Sequence, residues 1–237
     1  MTAFSQNNTD KANQKGEKEW TCGDPVKDLR NGYSYNTVEI GNQCWLAENL
    51  NIGIIINGFK EMTNNGLIEK YCYENKLDNC EIFGGLYQWK EMMDYDSTES
   101  SRGICPENWH IPSDSEWITL ESFADTEPNN SKINWDSIGD RGTDVGSHLK
   151  SKNCWMKKSK NTDSLNFTAL ASGIRLFSGN NFGDLHYLGF YWTSSLYLKE
   201  NEAFQRIFDY SSPLISRKGG TMKNGRSVRC VKDLNSK

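Results

Sequence analysis

The sequence is poor in histidine and proline and contains no long apolar run. Its 237 residues include three histidines and five prolines. No stretch approaches the roughly 20 consecutive apolar residues that cross a bilayer, so we predict a chain that does not span a membrane. The net charge is −4 and the basic residues are scattered. Since nucleic-acid binding needs a focused positive patch, we predict no nucleic-acid partner.

The cysteines form no C-x-x-C pair. There are seven, at Cys22, Cys44, Cys72, Cys80, Cys105, Cys154 and Cys230. The histidines His110, His148 and His186 lie far apart in the sequence, so the tight ligand pairs of a zinc site are missing and we predict no metal and no cofactor. Three disulfides with one free thiol account for the number of cysteines and indicate an oxidising compartment. We therefore predict an extracellular or cell-surface location.

The two ends of the chain are polar. Residues 1–19 show no hydrophobic period, which predicts a disordered lead-in. No secretion signal follows Met1, and we expect a mature chain whose leader was removed, with a lipoprotein signal and lipid anchor as one option for the precursor. Residues 20–233 are predicted to form one domain, and residues 234–237 a polar tail.

Local signals in the first half predict a hairpin and two helices. A strand over residues 35–40 and a strand over residues 43–46 are joined by the tight turn Gly41-Asn42. Leu86, Trp89 and Met93 form an apolar stripe that predicts a first helix over residues 85–93. The second helix follows Pro112, where Ser113 and Glu116 have the spacing of a capping box. Trp117, Leu120 and Ala124 form the predicted buried face of this second helix.

The second half of the sequence favours short strands. We predict strands over residues 167–170, 189–195 and 203–208. Asn224-Gly225 is typical of a type I′ hairpin turn and is predicted to lead into a last strand over residues 227–231. Helices followed by a strand-rich half are the element order of an α+β fold.

Four ordered motifs resemble the Fibrobacter succinogenes major paralogous domain family. The family pattern D-G-x-x-Y-x-T-V-x-I-G-x-Q-x-W-M-A-E-N-L reads NGYSYNTVEIGNQCWLAENL at residues 31–50. The pattern G-R-L-Y-x-W reads GGLYQW at residues 84–89, and C-P-x-G-W-H-x-P-S-D-x-E-W reads CPENWHIPSDSEW at residues 105–117. The closing S-V-R-C-V-K-D is intact at residues 227–233. This chain departs from the family at Asn31, Leu46 and Asn108, and by the additional Cys154.

The resemblance implies a fold and a set of disulfides. The family is similar to C-type-lectin-like domains, which implies two helices packed on short antiparallel sheets with long irregular loops. In such domains a cysteine of the helical half is bridged to one on the final strand, which implies Cys105–Cys230. The pairs Cys72–Cys80 and Cys22–Cys44 would follow and leave Cys154 free.

Three short constellations could suggest chemistry, and each has a simpler explanation. Glu127-Pro128-Asn129 and Asn134-Trp135-Asp136 echo the calcium-ligating motifs of C-type lectins, but they follow the second helix, too early in the chain, so calcium is not supported. His110 could act with Asp114 or Glu116 in acid–base work, but a place beside the helix cap suits it better. Cys154 could be a nucleophile, but nothing in the sequence places a histidine near it.

Residues 177–209 are the predicted binding segment because tyrosine and asparagine give adaptable contact area at low entropic cost. We exclude Phe190, Trp192, Phe204 and Phe208 as core residues. The predicted ligand-binding residues are Asn180, Asn181, Phe182, His186, Tyr187, Tyr191, Tyr197, Gln205 and Asp209.

The sequence thus predicts a monomeric, non-catalytic binding or adhesion module that recognises a glycan or a surface protein. One alternative is an assembly subunit of a bacterial surface appendage, which should expose an apolar patch or an unpaired edge strand. Another is a relative of the formylglycine-generating oxidases, which share the lectin-like fold. Those enzymes use a reactive cysteine pair near the chain end, where this sequence has only Cys230.

Overall fold

The computed structural model describes residues 19–126, 132–156, 160–178 and 181–234. Most of the predicted lead-in, the Glu127-Pro128-Asn129 fragment and Asn180 lie outside the described residues. The helices are α1 (Leu77–Phe83), α2 (Trp89–Met92), α3 (Asp114–Ala124) and α4 (Val145–Leu149). The strands are β1 (Val26–Lys27), β2 (Ser34–Tyr35), β3 (Thr37–Ile40), β4 (Gln43–Leu46), β5 (Ile54–Ile55), β6 (Glu69–Lys70), β7 (Gly139–Arg141), β8 (Ser172–Leu176), β9 (Asn181–Leu185), β10 (Leu188–Leu196), β11 (Glu202–Asp209), β12 (Ile215–Thr221) and β13 (Val231–Asp233). The fold is α+β, and most of its strand pairs are antiparallel.

A three-stranded sheet brings the two ends of the described chain together. The predicted hairpin is confirmed as β3 and β4, with Ile40 opposite Gln43 and with Gly41 in the left-handed region at φ +63°. Strand β13 pairs with the other edge of β4, where Val231 lies opposite Trp45. The first and last motifs of the family resemblance are therefore neighbours in one sheet.

The predicted hairpin at Asn224-Gly225 is wrong. Neither residue has the positive φ that a type I′ turn requires. The segment instead forms isolated bridges, in which Gly225 pairs with Arg175 and Arg226 pairs with Tyr87. These long-range backbone hydrogen bonds hold the chain extended between β12 and β13, so the last strand reaches β4 rather than folding back on β12.

A larger sheet forms the second half of the fold. Its strand order is β7-β12-β11-β10-β8-β9, and β10, β11 and β12 run as an antiparallel meander. The strands predicted over residues 189–195 and 203–208 are confirmed within β10 and β11. The strand predicted over residues 167–170 is wrong, because only Ala169 forms a bridge, with Lys150.

Helix α3 begins with the predicted capping box. The Glu116 N–H donates to Ser113 Oγ at 3.2 Å, and the Ser113 N–H donates to Glu116 Oε2 at 2.7 Å. The predicted face of Trp117, Leu120 and Ala124 is buried. This agreement follows from the local nature of the capping signal, which involves residues within one helical turn.

The predicted first helix is too long. Helical structure in this region is confined to α2, because Leu86 and Tyr87 instead form isolated bridges with Tyr71 and Arg226. The sequence analysis also missed α1, which begins inside the loop that the Cys72–Cys80 disulfide closes and carries Cys80 itself. Long-range bridges thus override the helical period at residues 85–88.

Buried ion pairs attach α3 to the large sheet. Asp114 accepts from Arg206 Nη1 at 2.7 Å and from Arg217 Nη2 at 2.6 Å. Glu121, which is fully buried, pairs with Arg206 and with Arg141. Because removing one member would leave another charge buried and unpaired, this network fixes how the helix sits on the sheet.

Arg229 holds the two halves of the fold together. Its side chain is fully buried and donates to the Leu46 and Phe167 carbonyls at 2.8 and 2.6 Å and to the Thr168 carbonyl at 2.7 Å. A fourth hydrogen bond reaches Asn49 Oδ1 at 2.7 Å. The closing motif and the N-terminal motif of the sequence therefore meet through one guanidinium.

The three predicted disulfides are confirmed: Cys22–Cys44, Cys72–Cys80 and Cys105–Cys230. Cys154 is the remaining free cysteine. Among the described residues, no helix has the length and apolar character needed to cross a membrane. Leu234, the first residue of the predicted polar tail, packs against the core that contains Cys105 and Cys230.

Candidate functional site

Three loops of the C-terminal half converge at one end of the large sheet. The Met156 N–H donates to the His186 carbonyl at 3.0 Å, and the Tyr210 N–H donates to the Tyr187 carbonyl at 2.9 Å. Lys150 Nζ donates to the Asp209 carbonyl at 2.7 Å. These bonds join the segment after α4, the β9–β10 turn and the β11–β12 turn. We call residues 150–156, 186–187 and 209–214 the loop-end surface.

The loop-end surface presents aromatic and apolar side chains to solvent. Tyr187 is 45% exposed and Met156 is 41% exposed. The Tyr187 and Tyr210 rings meet edge to face with their centroids 5.3 Å apart. Trp155, which precedes Met156 in the sequence, is half-buried and donates its indole N–H to the Ala169 carbonyl at 3.1 Å. Aromatic side chains anchored on one side and exposed on the other are suited to recognition, since they bury a large area at a small entropic cost.

Lys150 fixes the loops beneath this surface. Its ammonium is buried, donates to the Asp209 and Ser212 carbonyls, and lies 5.3 Å from the centre of the Trp155 ring. Burial lowers the pKa of Lys150 to about 8, although the charge of Asp209 opposes that shift. The Asp209 carboxylate accepts from the Ser211 N–H and hydroxyl at 2.7 Å each. Hydrogen bonds within the β11–β12 turn therefore stabilise it, and Lys150 connects it to the segment after α4.

Three of the predicted ligand-binding residues lie on the loop-end surface, namely His186, Tyr187 and Asp209. His186 is exposed, and its ring packs against Phe83 with the centroids 5.6 Å apart. The structure adds Tyr210, which the sequence analysis did not include. The sequence could have indicated Tyr210, because it directly follows the predicted residue Asp209 at the end of a strand with alternating side chains.

Other predicted residues lie elsewhere. Asn181 and Phe182 are on the edge strand β9, where Phe182 packs against Tyr73. Tyr197 follows the opposite end of β10 and packs against Phe204. Strand β10 has nine residues, so at about 3.3 Å per residue it separates Tyr197 from Tyr187 by roughly 30 Å. The predicted set is therefore not one continuous surface.

Tyr191 and Gln205 are wrongly predicted as ligand-binding residues. Tyr191 is fully buried, and its hydroxyl donates to the Leu170 carbonyl at 3.1 Å. Gln205 is also buried, and its Nε2 donates to the Gly219 carbonyl at 3.0 Å. Both lie on interior strands, β10 and β11, which the helices cover on one face. Phe190, Trp192 and Phe208 are buried, as predicted, whereas Phe204 is half-buried against Arg217.

The comparison with protein families matches the sequence model of the Fibrobacter succinogenes major domain to residues 38–232. The chain belongs to this family. No curated protein and no solved structure matches it. The matched range contains the loop-end surface. It also contains Arg229 and the residues to which Arg229 donates hydrogen bonds.

Cys154 of this Fibrobacter succinogenes major domain lies beside His186, a proximity that the sequence did not indicate. His186 Nδ1 is 3.0 Å from the Cys154 carbonyl oxygen. The contact involves the backbone of Cys154, and burial raises the pKa of its thiol. A raised pKa lowers the thiolate fraction at neutral pH, which is the opposite of an activated nucleophile.

His110, Glu116 and Asp233 form one cluster whose ligand atoms lie within 4.8 Å of one another. Glu116 is already engaged, because its Oε1 lies 2.6 Å from His110 Nε2 and its Oε2 accepts from the Ser113 N–H and hydroxyl at 2.7 Å each. The Fibrobacter succinogenes major domain therefore uses this cluster to tie the start of α3 to the last strand. The structure supports the expected place of His110 beside the helix cap.

Proposed function

We propose that this Fibrobacter succinogenes major domain is a secreted or surface-displayed, C-type-lectin-like binding module that recognises a glycan or a surface protein through the loop-end surface. The observation that carries the proposal is the convergence of three loops, in which the Tyr187 and Tyr210 rings pack together and the Met156 backbone is hydrogen-bonded to His186. Loops held by a rigid sheet are where binding residues concentrate in folded domains.

The chemistry of the surface suits a ligand with both apolar and polar faces. An exposed tyrosine ring can stack on a sugar ring or on an apolar side chain of a protein. The carbonyls and carboxylate of the neighbouring turn can accept hydrogen bonds from hydroxyl or amide donors. We favour a glycan, because the tyrosine pair lies beside the polar turn that Asp209 and Ser211 form.

We propose that the module has no catalytic step, works without calcium and is monomeric. The oxidase alternative needs a reactive cysteine near the chain end, and Cys230 is bridged to Cys105. Three disulfides are compatible with an extracellular location. A lipid anchor on the precursor would place the same surface outside the cell membrane.

One observation favours the alternative of an appendage subunit. Strand β5 pairs with β6 along one edge, and both of its isoleucines are exposed. Four further exposed apolar residues lie in the segments that follow β5 in the sequence: Phe59, Leu67, Leu77 and Ile82. An exposed apolar edge is a feature of chains that assemble with copies of themselves or with siblings. Sedimentation at increasing protein concentration would show self-association if this region assembles.

The binding proposal is tested with a broad glycan array, run with calcium and again with chelator. We expect binding in both conditions and a loss of at least tenfold in Tyr187→Ala and Tyr210→Ala. Tyr197→Ala is the matched control, because this tyrosine lies at the other end of β10 and should leave binding unchanged.

Three other outcomes of the array experiment would each contradict part of the proposal. Binding that the chelator abolishes would make the module calcium-dependent, contrary to our proposal. Equal losses in Tyr197→Ala and Tyr187→Ala would remove the loop-end surface as the site. An array with no binding in either condition would refute glycan recognition, and a concentration-dependent sedimentation coefficient would then support the assembly alternative.

A further inference from the structure

A second cleft lies in the N-terminal half of the fold, apart from the loop-end surface. It has a volume of about 500 Å³ and lies between residues 30–33, the start of β5 and the residues that precede β6. Its apolar walls include Ile52, Ile54, Leu67 and Ile68. None of the residues that line it belongs to the loop-end surface. The cleft can therefore bind a ligand independently of the first site.

Lys70 supplies a buried cation to this cleft. The residue is only 7% exposed, and it lies among the lining residues. Its Nζ donates to Asn51 Oδ1 at 2.6 Å and to the Asn51 carbonyl at 3.2 Å. An ammonium has three donors, so one N–H is left for a further acceptor.

Lys70 has no ion-pair partner within the described part of the chain. A buried ammonium without a direct ion pair is costly, because it loses its hydration and its hydrogen-bond acceptors here are neutral. Burial accordingly lowers the pKa of Lys70, while the charge of Glu81 partly offsets that effect. A carboxylate that enters the cleft would give the Lys70 ammonium a direct ion-pair partner.

The other charged groups of the cleft leave Lys70 as its anion anchor. Arg30 is already engaged, since its Nε and Nη2 donate to the two Asp28 carboxylate oxygens at 2.9 and 2.6 Å. Glu81 also lines the cleft and would repel a second negative charge. The cleft therefore suits a ligand with a single carboxylate and an uncharged body.

We propose that this cleft binds a small organic carboxylate with an apolar body. The carboxylate accepts a hydrogen bond from Lys70 Nζ, and the body lies against Ile54 and Leu67. Buried apolar area supplies the affinity, and the charge-assisted hydrogen bond selects the carboxylate over a neutral head group.

Hexanoate and hexan-1-ol are the probes, since they share an apolar body and differ in the head group. Calorimetric titration of the disulfide-intact protein should give one site for hexanoate, with at least tenfold weaker binding of hexan-1-ol. Lys70→Met keeps the apolar stem and removes the charge, so it should bind hexanoate at least tenfold more weakly. Lys27→Met, at an exposed lysine, is the matched control and should bind as the parent protein does.

A tripeptide that ends in leucine identifies the source of the carboxylate. Tighter binding of the free-acid tripeptide than of hexanoate, lost on amidation, would assign the site to peptide C termini. Tighter binding of hexanoate would assign it to free carboxylates. Both results support the proposed carboxylate chemistry.

The proposal is overturned if the parent protein and Lys70→Met bind hexanoate equally, or if the parent protein does not bind it. Should Lys70→Met fail to fold, backbone amide shifts of the parent protein decide the matter. Shifts on adding hexanoate should map to residues 52–54 and 66–70, and shifts confined to the loop-end surface would refute the cleft. Tyr187→Ala should bind hexanoate normally, which separates this proposal from the proposed function.

Discussion

His110 connects the start of α3 to the last strand through both its backbone and its side chain. Its N–H donates to the Val231 carbonyl at 3.0 Å, and its ring Nε2 lies 2.6 Å from Glu116 Oε1. Burial is the largest single effect on the pKa of His110 and lowers it. The hydrogen bond and charge of Glu116, with the charge of Asp233, outweigh burial and raise the pKa above 6.5. The imidazolium is therefore favoured in the folded state.

Glu116 shows the complementary shift. Burial raises its pKa, but hydrogen bonds to His110 and Ser113 outweigh burial and hold the pKa below 4.5. Because the pKa of His110 is higher in the folded state than in the unfolded state, it contributes stability that is fully present below its unfolded-state pKa. That stability is lost as the pH rises through its folded-state pKa. A lowered glutamate pKa contributes stability that is lost as pH falls. Both contributions are complete between about pH 4.5 and 6.5.

We predict that His110→Gln removes part of the pH dependence of stability. The free energy of unfolding of the parent protein should fall by about 1 kcal/mol more than that of the variant between pH 5.5 and 8.5, because the pair is partly exposed. Urea unfolding at the two pH values measures this difference. His186→Gln is the control, since this exposed histidine contacts a backbone carbonyl rather than a carboxylate. Parallel pH profiles for the parent protein and His110→Gln would contradict the prediction.

At the scale of elements, α3 depends on its N-cap. Ser113 is buried and satisfies the Glu116 N–H, and the helix it begins carries Asp114 and Glu121 into the arginine network of the large sheet. Fraying of the first turn would thus disturb buried ion pairs as well as a backbone hydrogen bond. The capping residue therefore has a larger structural role than its local hydrogen bonds alone suggest.

We predict that Ser113→Ala lowers the free energy of unfolding by about 1 kcal/mol, in the range of roughly 0.5–2 kcal/mol for lost N-caps. Thr119→Ala, on the exposed face of the same helix, should be neutral or slightly stabilising, because alanine has the higher helix propensity. Thermal unfolding of both variants checks the prediction. A larger loss in Thr119→Ala than in Ser113→Ala would show that the cap does not stabilise this helix.

The elements also show which features the sequence could predict. The β3–β4 hairpin and the capped α3 were predictable because each is specified by residues within a few positions of one another. The predicted turn at Asn224-Gly225 and the predicted helix at residues 85–88 were wrong because long-range bridges determine the conformation of both segments. The prediction that Tyr191 and Gln205 are exposed binding residues was wrong for a related reason. Whether a strand residue is buried depends on the strand order and on where α3 packs, and alternation alone does not reveal either.

On the scale of the whole molecule, the two ends of the described chain contact each other. Lys232 Nζ lies 4.7 Å from the centre of the Trp20 ring, and Trp20 meets Trp109 edge to face. Strand β13 completes the small sheet, and the Cys105–Cys230 disulfide links the segment before α3 to the segment before β13. The same disulfide closes the longest loop among the three, with a sequence separation of 125.

We predict that Cys105→Ala/Cys230→Ala is destabilised more than Cys72→Ala/Cys80→Ala. In the chain-entropy account, closing a loop of 125 residues stabilises by roughly 4–5 kcal/mol and closing one of 8 residues by roughly 2–3 kcal/mol. All four cysteines are buried, so the packing loss is similar in the two variants and the difference of about 2 kcal/mol reports loop closure. Urea unfolding of both double variants measures it. Equal losses would mean that the long disulfide acts through local packing alone, whereas the expected order would mean that it stabilises the fold by holding the two ends of the chain together in the unfolded state.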